Sequence, residues 1–240
     1  ILSMKLHRFI GEYDLSQKEI KIIDPETVKQ IKVVLRFKIG DKIILSDGKG
    51  GEAEVIIILI SKNEISGKIE RKIENNVGGK TVNLYLAILK KENFELAVQK
   101  AVEVGVSKII PVITERTVKT GLNEARLKKI ILEASEQCGR STVPTLSPIL
   151  NFKDALLDGA KAREKIIFHL GEKEYQPNDS GDSSIFIGPE GGFTKNEIEL
   201  AKNMGYTAAS LGPLTLRGET AAIVATYRVV NNIYLFQNFS

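Results

Sequence analysis

The residues with the clearest chemical potential are Arg217, Glu219 and Thr220, in the run Leu216-Arg217-Gly218-Glu219-Thr220-Ala221. A guanidinium, a carboxylate and a hydroxyl stand within four residues at the opening of an Ala-rich helix. Just ahead of them lies Leu211-Gly212-Pro213-Leu214-Thr215-Leu216, and earlier still Gly188-Pro189-Glu190-Gly191-Gly192. Glycine lets backbone N–H and C=O groups approach a ligand closely, and proline stiffens the loop beforehand. Leu211, Leu214 and Leu216 offer apolar contact with few charges, which suits a flat heteroaromatic ring better than a triphosphate. No Lys follows the glycines in a G-x-x-x-x-G-K-[ST] arrangement, so a phosphate-cradling P-loop is excluded.

Each Gly-Pro loop follows a short apolar run that reads as a buried strand, Ser184 to Ile187 and Thr207 to Leu211. Each also precedes a helix start. Thr194-Lys195-Asn196-Glu197 has capping-box spacing, Gly205 marks that helix's end, and an Ala-rich helix runs from Arg217-Gly218 to about Asn232. Strand, loop and helix repeated twice place both loops at the carboxyl ends of neighbouring strands, where open α/β sheets bind ligands. The same alternation fills the preceding stretch. Val82 to Leu89 reads as a buried strand, and Phe94, Ala97, Val98, Ala101 and Val102 form a helical face ended by Gly105. Lys108 to Ile113 is the next strand, and Leu127, Ile130, Ile131, Ala134 and Cys138 make a second helical stripe. Lys165 to Leu170 is a further strand, ending in His169-Leu170-Gly171-Glu172, and a polar loop follows from Glu174 to Asp182.

From Met4 to about Lys72 the pattern is instead one of short strands and turns: Val33 to Arg36, Lys42 to Ser46, Ala53 to Ile60 and Glu64 to Glu70. A short helix over Asp24 to Ile31 begins with an Asp cap and Pro25 at its first position. The glycines of Asp47-Gly48-Lys49-Gly50-Gly51 lie between two strands, so they read as hairpin glycines and not as a dinucleotide loop. Close-spaced short strands make a small barrel, a scaffold type that often binds RNA. The polar, Gly-rich run from Glu74 to Lys80 reads as a linker.

The composition excludes several classes. The single cysteine, Cys138, rules out an intramolecular disulfide and a multi-thiolate metal site. It reads as a small core residue, and no His/Cys/Asp cluster has metal-ligand spacing. No apolar run reaches about 18 residues, and no charged start leads into a cleavable apolar segment, so a cytoplasmic protein away from the membrane is expected. A net charge of +4 does not by itself establish a nucleic-acid partner. The excess leans toward the amino-terminal part, where residues 1–72 hold 14 Lys and Arg against 11 Asp and Glu.

Gly188-Pro189-Glu190-Gly191-Gly192-Phe193, Leu211-Gly212-Pro213 and Leu216-Arg217-x-Glu219-Thr220-Ala221 together resemble the signature of the RsmE family. These are SPOUT-class, S-adenosylmethionine-dependent enzymes that make 3-methyluridine in small-subunit (16S) ribosomal RNA. The resemblance covers nearly the whole chain. His7-Arg8-Phe9, Val34-Leu35-Arg36 with Gly40-Asp41, Glu115-Arg116, and Glu133-Ala134-x-x-Gln137-x-x-Arg140 also match, while Thr114 stands where the family usually has Ser.

The resemblance implies an α/β protein with an amino-terminal PUA-like β-barrel (1–73), a linker (74–80) and a SPOUT domain with a trefoil knot (81–240). It implies an S-adenosylmethionine pocket lined by Leu170, Gly171, Ile187, Gly188, Pro189, Leu211, Gly212, Leu214 and Leu216. Arg217, Glu219 and Thr220 are the implied catalytic residues: Arg217 faces the uridine's negative charge, Glu219 orients Arg217 or takes the proton, and Thr220 hydrogen-bonds substrate or cofactor. Contacts to 16S rRNA within the small subunit would come from His7, Arg8, Arg36, Arg116 and Arg140. Two readings of this group stay open, since Phe9 can be core, His7 a satisfied polar residue and the arginines surface partners of nearby Glu. A homodimer is implied, and no metal. Two other functions compete: a SPOUT enzyme methylating another target such as a ribose 2′-hydroxyl, and a non-catalytic RNA-binding ribosome-assembly protein.

Overall fold

The computed structural model describes residues 6–74, 79–178 and 180–232. Residues 1–5, residues 75–78 of the expected linker, Asp179 of the expected polar loop and residues 233–240 lie outside that description. The chain divides into two units, Ile1–Val77 with Ser135–Val143, and Gly78–Ala134 with Pro144–Ser240.

The first unit holds β1 (Arg8–Ile10), β2 (Glu19–Ile22), α1 (Pro25–Lys29), β3 (Lys42–Ser46), β4 (Glu52–Ile60) and β5 (Ile65–Ile73). They form one five-stranded sheet in the order β1-β3-β4-β5-β2. β1 runs parallel to β3 and the other pairs are antiparallel. Register shifts between Glu54 and Val55 and between Ile57 and Leu59 mark bulges that bend the long β4–β5 ribbon. Phe9, Ile20, Ile22, Ile43, Leu45, Val55, Ile57 and Ile65 fill the concave side with Val28 and Ile31. Phe9 is therefore a core residue.

Asp24 caps α1 by accepting from the Thr27 N–H, and Pro25 occupies the first turn. The helix then loosens into a π-helical turn over Gln30–Val34, with the Leu35 N–H donating to the Gln30 carbonyl at 2.9 Å. The strand expected over Val33 to Arg36 does not form. Val28 and Ile31 are buried at helical spacing, whereas Val33 and Val34 are 61% and 66% exposed, so that apolar pair belongs to no core. Ser135–Val143, expected with the second domain, groups with this first unit. The Gly50 N–H donates to the Ser141 carbonyl, the Val143 N–H to the Gly48 carbonyl, and the Ile10 N–H to Glu136 Oε1 at 2.7 Å.

The second unit is a parallel sheet with helices on both faces. Its strands are β6 (Thr81–Ala87), β7 (Lys108–Ile113), β8 (Thr145–Leu146), β9 (Leu150–Asn151), β10 (Glu164–Phe168), β11 (Asp182–Ile187) and β12 (Thr207–Ala209). The order is β12-β10-β11-β6-β7-β8, with β9 also pairing with β7. The chain starts at β6, builds outward through β7 and β8, then crosses to the other side for β10, β11 and β12. That reversal is a topological switch, the place where open parallel sheets leave a crevice at their carboxyl ends.

α2 (Lys91–Glu103) and α6 (Gly218–Asn231) cover one face, packing on each other while α6 also meets β6 and β11. α4 (Phe152–Gly159) and α5 (Lys195–Asn203) cover the other, around a core that includes Tyr85, Phe152, Phe186, Phe193, Ile198 and Tyr206. Tyr85 and Phe186 stack with ring centroids 4.3 Å apart. The remaining helix, α3 (Glu124–Cys138), follows β7. The sequence pattern puts the two Gly-Pro loops on neighbouring strands; the structure does not, because β10 lies between β11 and β12. All three run parallel, so their following loops still emerge together at one end.

Candidate functional site

A cavity of about 700 Å³ opens over the carboxyl ends of β6, β11, β10 and β12. Three loops wall it, after β10 (Phe168 to Leu170), after β11 (Ile187 to Phe193) and after β12 (Ser210 to Leu216). The first turn of α6 closes it, with Arg217, Gly218, Glu219 and Ala221 lining the wall. Of the residues expected to hold a cofactor, Leu170, Ile187, Gly188, Pro189, Leu211, Gly212, Leu214 and Leu216 all line this space. Gly171 does not line it; it turns the β10 loop with φ +85°.

The loops hold their shape through local bonds. After β11, the Gly192 N–H donates to the Pro189 carbonyl at 2.8 Å, and Gly192 takes φ +65°. A Cβ on Gly188 would stand 3.2 Å from the Phe193 backbone nitrogen and ring, so only glycine fits without moving the loop. Thr194 and Glu197 complete the capping box of α5 that the sequence predicts. After β10, the His169 N–H donates to the Ala209 carbonyl, and the Ser210 N–H to the Lys173 carbonyl, tying the β10 loop to β12. The third loop is the least tied. Among the described residues the N–H groups of Leu211, Leu214 and Leu216 donate to no backbone carbonyl, and Gly212 takes φ +123°. Leu170 is 51% exposed and Leu214 75%, an apolar surface at the cavity that a flat ring would cover.

Arg217 is the cap residue of α6, and its exposed side chain makes no capping bond. The first N–H groups of a helix lack intrahelical partners and carry partial positive charge, so this end of the cavity favours an anion. Glu219 is buried in the first turn of the same helix. Among the described residues no ion pair or hydrogen bond joins Glu219 to Arg217, so the expected orienting contact is not formed. Thr220 does not line the cavity. At about 100° per residue, a helix that turns Gly218 and Ala221 to the cavity turns Thr220 outward. Thr220 instead starts an outward stripe with Ile223, Val224 and Tyr227.

Sequence reasoning missed two lining residues of note, Lys90 and Asn93, which follow β6 at the start of α2. The signal was present, because β6 and α2 repeat the strand–loop–helix order of the two Gly-Pro loops. Glu190 Oε1 accepts from the Lys90 N–H at 3.0 Å, joining the β11 loop to α2.

None of the five residues expected to touch RNA lines the cavity. Arg8 is half-buried and ion-paired with the buried Glu52, which engages part of its guanidinium. Arg140 is half-buried, which lowers its pKa by desolvation, and its Nε donates to the Thr142 carbonyl at 3.2 Å. Arg116 Nη1 donates to the Gly191 carbonyl at 2.6 Å. His7 is exposed, its ring edge-on to Phe37 at 5.5 Å. Arg36 is exposed with φ +56°, in the left-handed region. Among the described residues no group of three or more His, Cys, Asp or Glu is placed to hold a metal, and no helix is long and apolar enough to cross a membrane.

Comparison with known proteins agrees with this architecture. A family described as an RNA methyltransferase domain matches residues 78–230, and one described as an RNA methyltransferase PUA domain matches residues 23–70. The chain is 33% identical to ribosomal RNA small subunit methyltransferase E of Rickettsia conorii, over 94% of this chain and 96% of the relative. It is 36% identical to the protein of the same name from Mesomycoplasma hyopneumoniae, over 71% of this chain and 78% of the relative. The crystal structure of ribosomal RNA small subunit methyltransferase E from Neisseria gonorrhoeae, bound to S-adenosyl methionine, superposes with a TM-score of 0.84. That pair is 29% identical, covering 92% of this chain and 95% of the other.

Proposed function

The chain belongs to the ribosomal RNA small subunit methyltransferase E family, and from that premise we propose that it methylates N3 of a specific uridine in 16S rRNA, using S-adenosylmethionine. The observation that carries this reading is the cavity itself: glycine backbone and exposed leucines on three loops, with a guanidinium and a helix N-terminus at one wall.

The residues fit the cofactor. Gly188 sits where a side chain would displace the loop, and the unpaired N–H groups of Leu211, Leu214 and Leu216 offer donors to an adenosyl group. Leu170 and Leu214 would cover the two faces of a flat ring, and Ile187, Pro189 and Gly212 would complete the seat. When bound, S-adenosylmethionine supplies an electrophilic methyl group on a sulfonium.

The chain's own task is to hold the uridine in line and stabilise the charge that N3 acquires when its proton leaves. Arg217 is the residue for that charge, aided by the free N–H groups at the start of α6. Glu219 lies in the first turn of the same helix and is the carboxylate at this wall available to receive a proton. Thr220 is kept in this reading only as a residue of the outward stripe on α6. That stripe supports a homodimer, because Thr220, Ile223, Val224 and Tyr227 recur at i, i+3, i+4 and i+7 and leave apolar surface for a second copy.

The same reading includes a barrel-like PUA fold for the first unit and a trefoil knot in the second. Arg228, buried on α6, donates to the Tyr175 carbonyl at 2.9 Å and lies over the Tyr175 ring, the contact between α6 and the loop after β10 that such a knot requires. His7 and Arg36 are the better candidates for RNA contact. Arg36 keeps a left-handed backbone that a non-glycine residue adopts only at a cost, a conformation that clusters at binding sites.

The test is labelled-methyl transfer from S-adenosylmethionine to small subunits lacking the modification, followed by nucleoside analysis. Label in 3-methyluridine supports the proposal. Label in a 2′-O-methyl nucleoside moves the target to the ribose, and no label with intact RNA binding leaves a non-catalytic protein.

A further inference from the structure

We infer that Arg116 is a positioning residue for the cofactor loop, acting through the Gly191 carbonyl and not through RNA. This rests on the functional reading above, and it deepens it by assigning the segment after β7 a role in holding the loop after β11. Thr114 to Thr117 makes a tight turn there, with the Thr114 N–H donating to Thr117 Oγ1 at 2.9 Å.

From this turn one bond reaches the loop after β11 and two reach the start of α5. The Arg116 guanidinium donates to the Gly191 carbonyl at 2.6 Å. The Glu115 N–H donates to Glu197 Oε1 at 3.0 Å, and Thr194 Oγ1 donates to Glu115 Oε2 at 3.1 Å. Glu197 is buried, and its other oxygen accepts from the Thr194 N–H at 2.8 Å, so one carboxylate ties the turn to the cap of α5. The stem of Arg116 also lies against Gly191, where a Cβ would come within 3.3 Å of Arg116 Cδ.

The loop after β11 is thus held from two directions. Glu190 fastens it to the start of α2, and Arg116 fastens the next residue to the end of β7. Gly191 and Gly192 are conformationally free by themselves, so a flexible loop would lose entropy on binding a ligand. Arg116 removes part of that loss beforehand. A guanidinium committed to a backbone carbonyl 2.6 Å away has one donor fewer for phosphate.

The experiment uses the full chain and Arg116→Ala, with Arg116→Lys as the conservative variant that keeps a charged donor. Calorimetry measures S-adenosylmethionine affinity, filter binding measures 16S rRNA affinity across salt, and amide exchange follows Gly191 and Gly192 in the ligand-free protein. Loss of one bond of this kind predicts cofactor binding weaker by about fivefold in Arg116→Ala. Exchange at Gly191 and Gly192 should quicken, the melting temperature and the salt slope for RNA should stay those of the parent, and Arg116→Lys should recover part of the affinity.

Unchanged cofactor affinity with unchanged exchange overturns the inference, as does a salt slope lower by about one with the loop unaffected, which marks a phosphate contact. If the parent protein binds no S-adenosylmethionine the functional reading fails, and the amide exchange still decides whether Arg116 holds the loop.

Discussion

Gly212→Ala isolates the loop after β12 from every other feature of the cavity. Gly212 has φ +123°, and a Cβ built there meets no atom within 4 Å, so the substitution introduces backbone strain without a clash. Strain of this type costs about 1–3 kcal/mol. Where that cost appears depends on whether the loop can relax. Pro213, Leu214 and Thr215 are exposed, and among the described residues Leu211, Leu214 and Leu216 donate to no backbone carbonyl, so little resists relaxation in the free protein.

The strain must then be restored when the loop closes on its ligand. It should appear as a loss of S-adenosylmethionine affinity of roughly fivefold to a hundredfold. Gly40→Ala provides the reference: φ is +96°, no atom lies within 4 Å, and the residue belongs to the first unit. That variant should leave cofactor affinity alone. Calorimetry with S-adenosylmethionine and thermal melting on both variants make the assay. Gly212→Ala binding as tightly as the parent while melting lower would refute the reasoning, because the loop would then be a rigid part of the fold and not a part of the seat.

Arg217→Ala should lower the methylation rate about a hundredfold or more, the scale for losing a group that stabilises transition-state charge, with cofactor affinity unchanged by calorimetry. Arg36→Asn keeps a residue that tolerates a left-handed backbone while removing the charge, and should reduce the salt slope of RNA binding by about one in filter-binding titrations. Hydrogen bonds from Lys42 and Arg71 hold the Glu54 carboxyl below its ordinary value of 4.5. A carboxyl depressed in the folded state stabilises above that ordinary value and loses the contribution as pH falls toward its folded one. Melting curves should therefore show Glu54→Gln less stable than the parent at neutral pH, with the gap closing below 4.5.

Much of the site was legible because its determinants are local. Glycine at a positive φ, a Thr-x-x-Glu cap and the strand-to-helix change in period all act within a few residues, so the loops after β11 and β12 could be placed before their partners were known. Long-range order was not legible. The insertion of β10 between β11 and β12 depends on pairing between distant segments, and no local propensity records it. Val33 and Val34 read as strand by composition, yet the cap at Asp24 and the buried spacing of Val28 and Ile31 carry the helix through them. The arginines show the same limit. Sequence marks Arg8, Arg116 and Arg140 as cations, but only the folded chain shows Glu52, the Gly191 carbonyl and the Thr142 carbonyl beside them. Sequence also groups Thr220 with Arg217 and Glu219, but adjacent residues at a helix start face different directions, and Thr220 does not line the cavity.

The most direct measurement is a crystal structure of the protein grown with S-adenosylmethionine. The adenosyl group should lie between Leu170, Gly188 and Leu214, against the backbone of Leu211 and Leu216, with its methyl toward the wall formed by Arg217. Ligand found elsewhere on the chain, or seated with its sulfonium turned away from the start of α6, would contradict the account.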